Sequence, residues 1–99
     1  MQSFYAEQFD REMGCTQAEW LMWLPAAMGD VLWQQQGDAL HAQVAGGALR
    51  IEWRVGEPRQ IALFKLPRLH VGFAFDGLDD VQRYTFMKRF DLYMQRGGG

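Results

Sequence analysis

The sequence predicts an α+β domain: N-terminal helices, a four-stranded antiparallel meander in the order 1-2-3-4, and a C-terminal helix packed on one sheet face. Three observations predict it. Thr16-Gln17-Ala18-Glu19 has the form of a helix-starting capping box. Between Ala39 and Phe75 the apolar residues fall into period-two runs, the spacing of half-buried strands. From about Leu78 to Gln95 they recur at helical spacing instead.

Ser3 can cap a short helix running to about Met13, with Tyr5, Phe9 and Met13 on one side and Gly14 as its stop. Thr16 then caps a second helix, in which Trp20, Trp23, Leu24, Ala27 and Met28 share a face. Pro25 lies inside that pattern and predicts a kink or a break, because it lacks an N–H and crowds the preceding turn. Gly29 is the expected end. Val31-Leu32-Trp33 fits either a strand or a helix tail, and residues 34–38 read as a loop.

The four strands are expected at about 39–45, 48–55, 60–66 and 69–75. The turns between them fall at Gly46-Gly47, at residues 56–59 and at Pro67-Arg68. Opposite residues of an antiparallel pair point to the same face. These turns then align three rows, Leu40–Trp53–Ala62–Phe73, Ala42–Ile51–Phe64–Val71 and Val44–Leu49–Leu66–Leu69, all apolar. At about 100° per residue the last helix turns Phe86, Met87, Phe90, Tyr93 and Met94 toward that face. Leu78, Val81 and Leu92 form a second apolar stripe, which needs a second neighbour.

The opposite sheet face carries the candidate interaction surface. Ile61, Leu63, Gly72 and Ala74 form an apolar centre, and Arg50, Arg54, Lys65 and His70 rim it. An apolar centre in a charged rim suits a protein contact, and the N-terminal helices of the same chain are the other candidate cover. With the Leu78, Val81 and Leu92 stripe it points to a protein partner or self-association, dimerisation included. A non-catalytic protein-interaction or adaptor module is the first expectation of function.

The second expectation is a small-ligand-binding domain or minor enzyme with a pocket between the last helix and the sheet. Arg83 lies in the sheet-facing arc of that helix, and Asp79 is placed four residues earlier to pair with it. An Arg aimed into such a pocket would hold an anion. His41 opposite Glu52 is a His–carboxylate pair of the kind that serves as a general base. No Ser or Cys nucleophile falls beside it, so no catalytic residue is assigned.

Composition narrows the classes further. Ninety-nine residues suit one core, with 1–96 as a single domain and 97–99 as a flexible glycine tail. No apolar run approaches the roughly 20 residues of a membrane span. The start lacks the basic residues of a signal peptide, and Cys15 is the only cysteine, which excludes an intrachain disulfide. A cytoplasmic location is expected. A sequence pI near 5.6 argues against nucleic acid. No G-x-G-x-x-G, P-loop or H-E-x-x-H stretch is present, so no cofactor and no metal are expected. Charge is uneven along the chain. Residues 1–38 hold one cation and six anions, whereas residues 39–99 hold nine cations and six anions.

Arg96-Gly97-Gly98-Gly99 resembles the C-terminal tail of ubiquitin-like and sulfur-carrier proteins. That resemblance implies a diglycine carrier, activated as an acyl adenylate. It covers only the tail, which here follows a helix where those families have a strand.

Overall fold

A computed structural model describes residues 4–98. It is α+β, with an antiparallel sheet and a C-terminal helix, but the strands are more numerous and differently ordered than the sequence predicts. Strands β1 (Gln8–Met13), β2 (Leu32–Gln36), β3 (Ala39–Val44), β4 (Gly47–Val55) and β7 (Leu69–Asp76) form a five-stranded sheet in the order β1-β7-β4-β3-β2. Strands β5 (Arg59–Ile61) and β6 (Phe64–Leu66) form a separate two-stranded sheet. Helices α1 (Gln17–Met28) and α2 (Asp80–Gly98) complete the fold.

The expected first helix is strand β1, and Ser3 lies outside the described residues. Phe9, Arg11 and Met13 turn toward the core side, while Gln8, Asp10 and Glu12 are exposed. Tyr5, Phe9 and Met13 are four apart, a spacing in phase with both a helical face and a strand's alternation, so it could not separate the two. Pairing decides it, because β1 lies along β7 from Gln8↔Ala74 to Met13↔Leu69.

Helix α1 begins as expected. Glu19 N–H donates to Thr16 Oγ1 at 3.1 Å, and Thr16 N–H donates to Glu19 Oε1 at 2.9 Å. The helix is unbroken at Pro25, and Gly29 N–H closes it by donating to the Pro25 carbonyl at 3.1 Å. Arg89 of α2 adds a second closure, donating to the carbonyls of Ala26 at 3.1 Å and Ala27 at 3.0 Å. Gly29 sits at φ 69°, and a Cβ there would meet Arg89 Nη1 at 2.5 Å. The backbone conformation therefore favours glycine, and a Cβ would push the Arg89 guanidinium away from the helix end.

The β3–β4 turn falls at Ala45-Gly46, both at positive φ (50° and 80°), and not at Gly46-Gly47. Leu40 therefore faces Ile51 and Ala42 faces Leu49. Each partner differs by two positions from the expected one, which preserves the face, and Leu40, Ala42, Val44, Leu49, Ile51 and Trp53 are all buried.

The larger correction concerns residues 60–66. They are not a central strand, and the four-stranded meander does not exist. β4 pairs directly with β7, placing Leu49 opposite Phe75, Ile51 opposite Phe73 and Trp53 opposite Val71. The apolar-row test could not exclude this arrangement, because odd-numbered positions of β4 meet odd-numbered positions of β7 just as well.

Both helices pack on the same sheet face, so the expected N-terminal cover of the other face is absent. Phe73 meets Phe90 edge-on at 5.5 Å, Phe75 meets Phe86 at 6.1 Å, and Trp20 lies 5.7 Å from Trp53 and 6.0 Å from Phe90. Such contacts add to the area these rings bury. Beside them Arg11 of β1 meets Asp91 of α2 at 2.7 Å, with its guanidinium 5.2 Å from the Phe73 ring centre.

α2 starts at Asp80, two residues after Leu78. Gln82 N–H donates to Asp79 Oδ1 at 2.8 Å and Asp79 N–H to Gln82 Oε1 at 2.9 Å, a reciprocal cap. The helix bounds include Gly97 and Gly98, which the sequence reading assigned to the tail, and Gly99 lies outside the described residues.

Candidate interaction surface

Between β4 and β7 the chain leaves the sheet as an arm. Gly56 N–H donates to the Arg68 carbonyl at 2.9 Å, which extends the β4–β7 pairing by one step. Pro58 and Pro67 follow on the two strands, and neither has an N–H to continue the ladder. Beyond them Arg59 faces Leu66, Gln60 faces Lys65 and Ile61 faces Phe64. The Val55↔Leu69 register would have put Arg59 opposite residue 65, so the two ladders are one residue out of step. Ala62-Leu63 make the tip turn, with Ala62 at φ 53°.

The arm's pairing gives it two unlike sides. Arg59, Ile61, Phe64 and Leu66 share one, and Gln60 and Lys65 share the other. Ile61, Phe64 and Leu66 are 50%, 70% and 45% exposed, and Leu63 at the tip is 96% exposed. An isolated two-stranded hairpin is marginally stable in water. Among the described residues nothing covers its apolar side.

The predicted surface is thereby divided. Ile61, Leu63 and Lys65 go to the arm. Arg50, Arg54, His70, Gly72 and Ala74 stay on the open sheet face, where Gly72 lies between Glu52 of β4 and Asp10 of β1. Of the helical stripe, Leu78 is buried, whereas Val81 and Leu92 are exposed. The apolar centre therefore does not form as drawn, because its two halves lie on strands that are not neighbours.

The open face is a broad groove of about 1150 Å³, and its lining is mostly polar. Arg50 donates from Nε to Glu52 at 2.5 Å and from Nη1 to His41 Nε2 at 2.7 Å. Arginine has no acceptor, so His41 Nε2 accepts and the ring proton sits at Nδ1. His41 faces Arg50 across the ladder, and Glu52 faces Ala39. The expected His41–Glu52 pair is replaced by a bridge through Arg50. His70 lies 3.9 Å from Glu12, which also meets Arg68 at 3.5 Å. Among the described residues no three His, Cys, Asp or Glu side chains gather into a metal-binding group.

Arg83 is buried, and each of its three nitrogens donates within the chain. Nε donates to the Tyr5 carbonyl at 2.8 Å, Nη1 to the Leu78 carbonyl at 2.6 Å, and Nη2 to Asp80. Its ion-pair partner is Asp80 and not Asp79, whose carboxylate caps the helix. Nearby, burial, a hydrogen bond to Asp91 and that carboxylate's charge push the Tyr5 hydroxyl up to about 12. Cys15 is buried, and burial with the nearby Glu19 charge raises its thiol pKa, which keeps it protonated.

No protein-family model, curated protein or solved structure matches the chain. Among the described residues no helix is long and apolar enough to cross a membrane.

Proposed function

We propose that this protein is a non-catalytic interaction module that engages a protein partner through its arm. The observation that carries the reading is the uncovered apolar side of residues 59–66, ending in the fully exposed Leu63. Single exposed apolar residues are ordinary, but a contiguous set on a projecting element is a contact surface. The flanking cations Arg54, Arg59, Lys65 and Arg68 outnumber the one anion, Glu57, and favour an acidic partner.

The test places a photo-crosslinking residue at Leu63 or, as a control, at Met22, which is 71% exposed on α1. Both full-length proteins are irradiated in living cells. A discrete protein adduct at position 63 and none at position 22 is expected. No adduct at 63, or the same adducts at both positions, overturns the reading.

A further inference from the structure

We infer that the arm's partner is a second copy of this chain, which takes the arm at the opposite end of its sheet in a head-to-tail contact. This rests on the arm being the contact surface and names its occupant. The two ends of one molecule carry complementary features. β4 and β7 run the length of the sheet, with the arm at Val55 and Leu69 and a shallow pocket at Gly47 and Asp76. At about 3.3 Å per residue these ends are roughly 26 Å apart, so the arm does not fold back onto its own pocket.

The pocket, about 710 Å³, is lined by Leu32, Gln43, Gly46, Gly47, Ala48, Asp76 and Gly77. Leu32 is 72% exposed, and a Cβ on Gly46 would meet nothing within 4 Å. Bare glycine backbone beside an exposed leucine suits an apolar tip such as Leu63-Phe64. Asp76 stands in the pocket lining. Asp30, just before β2, and Asp79, just before α2, come from the same end of the sheet, and all three are exposed. Among the described ion pairs none uses these three carboxylates, and none uses Arg59 or Lys65 on the arm.

Charge also separates this contact from its main rival, two arms packed against each other. The arm, residues 59–66, holds two cations and no anion, so two arms repel. The rest of the chain holds eight cations and twelve anions, so arm and body attract. A contact between unlike surfaces is heterologous and builds open chains or closed rings.

The test uses the purified full-length chain in sedimentation and light scattering. The parent is expected to assemble beyond a dimer with rising concentration, less so at high salt. Leu63→Asp, and separately Arg59→Glu, should each weaken assembly at least about tenfold. Asp76→Arg, at the other end, should do the same. Mixing Leu63→Asp with Asp76→Arg should restore a dimer and nothing larger, because one intact arm and one intact pocket remain. A parent that stays monomeric into the millimolar range overturns the inference. So do variants that assemble like the parent, or an arm variant and pocket variant that fail to complement while each keeps its melting temperature. Any of these results alongside a position-63 adduct to a different protein in cells leaves the interaction module standing and removes only its self-partner.

Discussion

Arg83 Nε donates to the backbone carbonyl of Tyr5 at 2.8 Å, joining a buried side chain of α2 to the segment that leads into β1. Arg83 also holds the Leu78 carbonyl, so one guanidinium ties the chain entering β1 to the chain leaving β7. Replacing it strands two buried carbonyls, while the exposed Asp80 carboxylate keeps its water. Arg83→Leu should cost about 3 kcal/mol in urea unfolding, the penalty of buried acceptors left without donors. Arg83→Lys should recover only part, since one ammonium cannot span the same fork.

Tyr5 gives stability a pH dependence of known sign. Its hydroxyl is raised from 10.0 to about 12, so at alkaline pH the folded state keeps a proton that the unfolded state has released. The contribution is fully present below pH 10 and is lost as pH rises through that window. The difference in stability between the parent and Tyr5→Phe should be constant below pH 9 and shrink between pH 10 and 12. Paired thermal melts measure it.

Ala45 occupies the left-handed region at φ 50°, where a Cβ is strained. Ala45→Asn should stabilise the protein by about 0.5–1 kcal/mol, because asparagine tolerates that conformation. A rise in melting temperature with unchanged oligomeric state is the expected reading.

Leu63 and Phe64 lie outside the core. Leu63→Asp or Phe64→Asp should shift unfolding by no more than about 0.5 kcal/mol, as surface substitutions do. Ile51→Ala, fully buried in β4, should cost about 2–5 kcal/mol. The contrast separates binding from folding by chemical denaturation alone.

Much of the core could be read from the residues. The buried sides of β3, β4 and β7, the capping box of α1 and the sheet-facing residues of α2 follow from period and cap chemistry. Parity carries face but not neighbour. Ile51 is apolar and inward whether it meets Phe64 or Phe73, so the pattern could not tell an adjacent strand from a hairpin that leaves the sheet. The signal lay in Pro58 and Pro67, which deny residues 59–66 the unbroken ladder a central strand needs. Arg83 was legible as an anomaly on an apolar arc. Its partners were not, because Tyr5 and Leu78 accept through backbone carbonyls that no side-chain pattern reveals.

The pairing of β4 with β7 closes at Gly56 and Arg68, below both prolines, and that closure separates inheritance of shape from inheritance of contact. Changes in the length or sequence of residues 59–66 leave every hydrogen bond of the five-stranded sheet in place. Related chains could therefore exchange this segment and acquire new associations without relearning how to fold.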